Sequence, residues 1–488
     1  MKNKFYVTTT IPYANAPPHI GHALEFVQAD VLARWNRLKD KKVFFLSGTD
    51  EHGSKNYRTA LKQGITPKKF VDKNAGYFVE LLKKLNISND NFIQTSDKKK
   101  HWPGVIDVWK KLDKKGDIYK KKYVGKYCSG CERYLTEKDL VDGKCENHPN
   151  IGIEELTEEN YFFKLSKYSN KIIDLIKKDK LRIFPIQWKN DFLGLIKDGL
   201  QDVSFSRETR FLPWGIPVPG DNNQVMYVWC DALTNYLTGI GYPNKKFEKY
   251  WPADIHVVGK DMLRFHAGIW PGMLLSAGIE LPKEIIVHGF LTINGKKMSK
   301  SLGNVVAPLE LLKKYSADTL RYFLLRATPF GDDGDFSEKT LIDRHNNELA
   351  NKLGNLVSRV AGLIAPRAYP ETSPAEKPTR GKKNGVDKEG NDLIKKLDER
   401  KINKLFENYE FDKVLNEIFA FIDLCNEYVQ KNKLWETKDK KKLFELKESI
   451  LKIADLLLPF IPESAEKIKK QFSAIKIKKG EILFEKIK

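Results

Sequence analysis

Hydrophobic and polar positions near the start of the chain define a strand, a helix and a second strand. Phe5 to Thr10 crowds aromatic and β-branched residues into a short run ahead of a loop holding Pro12, Asn15 and Pro17-Pro18, the composition of a strand and its exit turn. From His19 to Leu38 the apolar residues Ile20, Leu24, Val27, Val31, Trp35 and Leu38 recur every three or four positions. That spacing predicts an amphipathic helix, with the two prolines just ahead of its first turn. Val43 to Leu46 is a further apolar run, opening into Ser47-Gly48-Thr49-Asp50-Glu51-His52-Gly53. The pattern returns later: Ile255-His256-Val257-Val258 precedes Gly259-Lys260-Asp261 and a helix, and Ile285-Ile286-Val287 precedes His288-Gly289.

Two αβ halves therefore flank a middle insertion. Open parallel sheets take their ligands beyond the carboxyl ends of the strands, where these polar loops lie, so a nucleotide site between the halves is expected. From about Leu341 the strand signals vanish, and Ala350 to Leu363 and Leu393 to Glu427 read as amphipathic helices of a C-terminal bundle. Between them, Pro366 to Asn391 is rich in Pro, Gly, Lys and Ser without a period, as in an exposed connection. No internal repeat of fixed length occurs, which argues against a solenoid.

Length and charge refine this picture. At 488 residues the chain exceeds one ordinary core of about 150 residues, so two or three packed units are expected. No apolar run approaches the roughly 18 residues of a membrane span, and the first residues lack a signal-peptide core, so a cytoplasmic protein without membrane attachment is expected. A formal net charge of +21 suits a polyanionic partner such as nucleic acid, although a lysine-rich surface with no specific partner fits the charge equally well.

Three clusters carry candidate chemistry. His19 and His22 share one face at a helix start, with Gly21 between them leaving room for a ligand; helix starts favour anions, so two imidazoles there suit a phosphate, or else they merely cap the helix. Lys297-Met298-Ser299-Lys300-Ser301, preceded by Asn294-Gly295 and followed by Leu302-Gly303-Asn304, places two ammonium groups on a glycine-flanked loop that can swing onto a triphosphate or simply be solvated. Cys128 and Cys131, then thirteen residues, then Cys145 and His148 have the pair spacing of a tetrahedral zinc site with a filled shell, hence structural; the alternative is buried thiols.

Pro17-Pro18-His19-Ile20-Gly21-His22 and Lys297-Met298-Ser299-Lys300-Ser301 together resemble the paired signatures of class I aminoacyl-tRNA synthetases, in the order and separation of that family. Along nearly its whole length the chain resembles the methionyl-tRNA synthetases, at Ile11-Pro12-Tyr13-Ala14-Asn15, Gly48-Thr49-Asp50-Glu51-His52-Gly53, Tyr227-Val228-Trp229-Cys230-Asp231-Ala232, Val258-Gly259-Lys260-Asp261 with Arg264-Phe265-His266, and His288-Gly289-Phe290-Leu291. The single knuckle followed by Glu159-Asn160-Tyr161-Phe162-Phe163 resembles the bacterial branch of that family.

The resemblance implies a Rossmann-like α/β catalytic domain in two halves, 1–117 and 213–290, split by a zinc-bearing insertion at 118–212. A signature-loop and stem-contact region at 291–340 and a helical anticodon-binding domain at 341–488 would follow. It implies activation of L-methionine by ATP with Mg2+, and transfer to the 3′ end of tRNA(Met). Pro12, His19, Gly21, His22, Gly259, Asp261 and Lys300 would bind ATP, with His19, His22, Lys297 and Lys300 acting on the phosphates. Asp50 would pair with the methionine ammonium, while Ile11, Tyr13, Trp229, Leu233, Tyr236 and His288 line the side-chain pocket. Aromatic walls suit a polarizable thioether, and a tyrosine hydroxyl or the Ile11 N–H could reach its sulfur. Ile11 stands where the family often has leucine, and Leu233 where many members have proline. Asn355, Arg359 and Trp435 match positions that read the anticodon, residue types suited to splayed bases. Glu481 to Ile487 resembles a strand folded back toward the catalytic part, and with the chain ending there a monomer is expected.

Two other readings compete. One is a sister enzyme for isoleucine, valine, leucine or cysteine, although the first three carry an editing insertion too large for the stretch between the halves. The other is a non-catalytic RNA-binding protein of the same fold, which would have no use for the phosphate motifs.

Overall fold

The computed structural model describes residues 3–130, 133–135, 139–298, 303–365, 392–478 and 480–488, with Tyr123, Arg133, Tyr134, Leu156 and Lys297 described by backbone alone. Cys131, Lys300 and the connection 366–391 lie outside the described residues.

The chain forms two compact units, Met1–Lys314 with Gly331–Gly334, and Tyr315–Phe330 with Asp335–Lys488. In the first, β1 (Lys4–Thr9), α1 (Ile20–Leu38) and β2 (Lys42–Thr49) follow the predicted grammar, and β3 (Asn91–Gln94), which was not predicted, pairs with β2. Past α2 (Trp102–Lys114) the chain enters an antiparallel excursion, where β4 (Ile118–Cys128) pairs with β5 (Ile153–Phe163) along eleven residues from Ile118↔Phe163 to Cys128↔Ile153. The parallel sheet resumes with β7 (Ile255–Gly259) and β8 (Glu284–His288). Its sixth strand was not predicted. Arg182–Phe184, here β6, joins β8 in register Ile183↔Ile285, giving the order β3-β2-β1-β7-β8-β6. The expected insertion boundary 118–212 is corrected accordingly, because its residues 182–184 belong to the main sheet.

Central strands carry near-continuous apolar runs because both their faces are covered. Tyr6, Val7, Val257, Val258, Ile285 and Val287 are fully buried. Strand order reverses between β1 and β7: the chain steps outward from β1 to β2 on one side and from β7 to β8 on the other. The crevice at that reversal is where α/β sheets bind ligands.

The second unit is helical, and it claims Ala317–Arg326, so the expected boundary at 341 falls too late. Arg321, fully buried, explains the assignment: its Nε and Nη2 donate to the carbonyls of Phe460 and Pro459 at 2.8 and 2.7 Å. The predicted helix Ala350 to Leu363 starts inside a π-helical stretch, His345–Gly354, and continues as Asn355–Ile364. The predicted helix Leu393 to Glu427 is two helices, Glu399–Glu407 and Phe411–Lys431, because Tyr409 adopts a left-handed φ of 58° that no continuous helix accommodates. The expected closing strand is also corrected. Residues 481–487 are irregular, and their backbone is held by side chains instead: the amide of Asn346 donates to Ile487 O and accepts from Ile487 N at 2.8 and 2.9 Å, and His345 Nε2 meets Glu485 O at 2.8 Å.

Candidate active site

Adjacent parallel strands end side by side, so their exit loops meet. Tyr13 and Asp50, from the loops after β1 and β2, form an isolated parallel bridge, with Ala14 N bonded to Asp50 O at 2.8 Å and Asp50 N to Pro12 O at 2.9 Å. Lys260 N likewise reaches His288 O at 3.0 Å across the ends of β7 and β8. Between these loop pairs lies a cavity of about 350 Å3 lined by Ile11, Pro12, Tyr13, His19, Gly21, His22, Asp50, Trp229, Gly259, Asp261 and His288, together with Glu25, Met298 and Gly130.

Most residues predicted for one site therefore share one cavity. Met298 stands for the second signature there, since a Cβ on Gly21 would lie 3.9 Å from its Cε. Downstream of that loop, Val306 O accepts the N–H of Ile20 at 3.0 Å, so chain on both sides of 299–302 returns to the start of α1. Lys297 is described by backbone alone and Lys300 lies outside the described residues.

Leu233 and Tyr236 are not brought to the cavity wall; both are buried in the core. The Tyr236 hydroxyl bonds His266 Nε2 at 2.6 Å, its carbonyl accepts from the Tyr6 hydroxyl at 2.7 Å, and Met262 O occupies His266 Nδ1 at 2.9 Å. His266 thus offers Tyr236 a lone pair, which fixes where the phenol donates. Trp229 lines the cavity with its ring stacked on Phe265 at 3.6 Å.

The two signature histidines cap α1 reciprocally. His19 Nδ1 accepts from Gly21 N, and His22 Nδ1 accepts from His19 N, both at 3.1 Å. Each ring therefore carries its proton on Nε2 when neutral. Desolvation, then the neighbouring His19 and His288, hold His22 well below its ordinary value, so it is a neutral donor. Two further groups were not anticipated. Glu25, buried on α1, meets His288 Nε2 at 2.9 Å; no spacing or periodicity in the sequence pointed to it. Asp231, fully buried, bridges His52 Nδ1 at 2.5 Å and His101 Nε2 at 2.8 Å, tying the Asp50 loop to the helix Val228–Leu233 that carries Trp229. Burial alone would raise the Asp231 carboxyl, but the two histidines bring it below its usual range.

At the far end of β4, ligand atoms of Cys128, Cys145 and His148 lie within 4.8 Å of one another. A tight turn at Asp142-Gly143, with φ of 50° and 74°, joins Leu140–Val141 to Lys144–Cys145 and delivers Cys145. Two thiols and an imidazole at such spacing form a soft donor set that fits zinc; the fourth predicted ligand, Cys131, lies outside the described residues. In the helical unit, Arg359 lines a surface hollow with Asn351, Lys352, Asp423, Asn426, Gln430 and others. Asn355, one turn earlier, bonds Asn351 O at 2.8 Å, and Trp435 is 43% exposed on a short helix of its own.

Comparisons with known proteins agree with this geometry. A family model described as "tRNA synthetases class I (M)" matches residues 5–156 and 150–361, and one described as "Anticodon-binding domain of tRNA ligase" matches 395–487. The chain is 42% identical to a methionine–tRNA ligase of Caldanaerobacter subterraneus subsp. tengcongensis over 521 residues, covering 100% of this chain and 79% of that protein. It is 41% identical to one of Brucella suis biovar 1, covering 96% and 91%. Among solved structures, Mycobacterium tuberculosis methionyl-tRNA synthetase in complex with methionyl-adenylate aligns with a TM-score of 0.86 at 36% identity, over 96% of this chain and 94% of that one.

Proposed function

This chain belongs to the methionine–tRNA ligases of the class I tRNA synthetases and has their activity, and we propose that the cavity at the strand reversal is where it forms methionyl-adenylate. A single observation carries this reading: loops from four strand ends and the start of α1 converge on one cavity with residues of both signatures.

Methionine presents an ionised carboxylate, so the first step needs no general base. One carboxylate oxygen attacks the α-phosphorus in line, a new P–O bond forms, the bond to the bridging oxygen breaks, and pyrophosphate leaves. Charge management is the chain's task. With Nδ1 committed to backbone N–H groups, the Nε2–H groups of His19 and His22 are donors for phosphate oxygens, beside the positive end of α1. Asp50 takes the substrate ammonium, Asp261 and Gly259 border the nucleotide, and Lys297 and Lys300 neutralise the departing pyrophosphate. Mg2+ arriving with ATP would neutralise further phosphate charge.

In the second step, as the resemblance implies, the 2′-hydroxyl of the terminal adenosine attacks the methionyl carbonyl carbon and AMP departs. The helical unit would read the anticodon of tRNA(Met) through Asn355, Arg359 and Trp435. Cys128, Cys131, Cys145 and His148 would hold one structural zinc ion. The substrates and the charge suit a cytoplasmic enzyme. Pyrophosphate exchange with each of the twenty amino acids, without tRNA, is the test: exchange with methionine alone is expected, and exchange with another amino acid instead would sink the assignment.

A further inference from the structure

Glu25 lies on the cavity wall, 7% exposed. Its Oε1 accepts the N–H of Thr10 at 2.6 Å and the Thr10 hydroxyl at 2.5 Å, leaving Oε2 to His288 Nε2 at 2.9 Å. The other ring nitrogen, Nδ1, faces the carbonyl of Gly289 at 2.8 Å. A carbonyl oxygen can only accept, so Nδ1 of His288 carries a proton, and the proton shared between Oε2 and Nε2 rests on the imidazole, the stronger base of the pair. With Oε1 occupied by the two Thr10 donors, both nitrogens of His288 are then protonated.

We propose that Glu25 is a positioning residue that keeps His288 a buried imidazolium, and that this fixed charge selects a neutral thioether over cationic or purely hydrocarbon side chains of the same length. The inference rests on the cavity being the methionine site. Both N–H bonds of the ring are spent on the protein, so His288 has no hydrogen bond to give a ligand. Its charge is what reaches the pocket. A polarizable sulfur with exposed lone pairs is attracted to that charge; the methylene of norleucine is not, and the sulfonium of S-methylmethionine is repelled.

Other charges around the ring favour the same state. Glu25 and neutral His22 face it from α1, and Asp261 faces it from the loop after β7. Burial alone would lower the His288 value, but the Glu25 carboxylate, with help from the Gly289 carbonyl and Asp261, raises it above the ordinary one. Without Glu25 the buried cation would keep only Asp261 and the Gly289 carbonyl against its burial, so the ring would shed its proton.

The test uses the full-length protein with 15N-labelled histidine, the His288 signals being assigned by their loss in His288→Gln. At neutral pH both ring nitrogens of wild-type His288 are expected to be protonated, and one unprotonated in Glu25→Gln. In pyrophosphate exchange, Glu25→Gln is expected to lower the kcat/KM preference for methionine over norleucine by roughly three- to tenfold, the scale of one buried polar interaction. The loss should fall in the amino-acid KM, worsen as pH rises through the ordinary histidine range, and leave the ATP KM alone. Glu25→Asp, which keeps the charge, should restore most of the preference. A bare ring nitrogen on wild-type His288 at neutral pH, or an unchanged preference in folded Glu25→Gln, overturns the proposal. The ring measurement on the wild type needs no variant to fold in the Glu25 position. If the wild type shows no methionine-dependent exchange, the reading of the cavity fails and the selectivity claim falls with it, while the protonation of His288 is still decided.

Discussion

His19 and His22 lie with their rings stacked, centroids 3.7 Å apart and planes 23° from parallel, and each gives its Nδ1 to a backbone N–H of the first turn of α1. Capping and the proposed phosphate contact thus use opposite nitrogens of the same ring, and the two roles can be separated by substitution.

His19→Ala should remove both. It is expected to destabilise the first unit by about 1 kcal/mol through the lost cap and to raise the exchange barrier by roughly 2.7–4 kcal/mol, by analogy with an oxyanion donor. His19→Asn, whose short side chain caps well but stops short of the cavity, should recover the stability and not the rate. Urea melts beside exchange kinetics check this; full activity in His19→Asn would assign the histidine to capping alone.

Removing the metal should unravel the knuckle before the sheet. Elemental analysis is expected to give one zinc per chain, Cys145→Ser to lower that content, and chelation to open new protease cleavage between β4 and β5. A zinc-free wild-type protein with an uncleaved excursion would exclude the site.

Acid should weaken the first unit through its neutral histidines. Burial, with His266 nearby, holds His256 well below its ordinary value, and burial brings His266 to about 4 from 6.5. Between those two pH values the unfolded chain binds more protons than the folded one, so stability falls as pH drops through the window. His266 alone accounts for on the order of 3 kcal/mol of that fall. Unfolding by urea along a pH series is expected to follow this slope, and His266→Gln to flatten it.

Trp435→Ala should cut the efficiency of tRNA charging by about 1–3 kcal/mol, the worth of one stacked base, and leave pyrophosphate exchange untouched. Its exposure and its place outside the core make a stability effect small. Equal charging by wild type and variant would remove the residue from anticodon reading.

What could be read from sequence followed the strength of local signals. The segment from β1 to β2 was legible because its periodicities are long and its loops carry Pro, Gly and Asn. The meeting of Cys128, Cys145 and His148 was legible because their spacing is that of a metal-ligand set. The edge strand β6 was not, since three residues ahead of Pro185 carry no period. Tyr236 was placed in the pocket by resemblance alone; its hydrogen-bond partner could not be read, because His266 lies thirty positions further along. Glu25 was passed over because one carboxylate in a helix usually faces water; its partner, His288, is 263 positions away.

The edge position of Arg182–Phe184 has a consequence for engineering. The antiparallel excursion leaves the sheet from the β3 side and hands the chain back at the opposite rim, so it is no detachable cassette. A deletion cut at its apparent ends would strip the outermost strand and bare the backbone of Glu284 to Ile286, in a strand that is buried throughout. Such an edge recruits other strands, so the trimmed protein would be expected to self-associate, and a shortened version should keep residues 182–184 and close the gap before them.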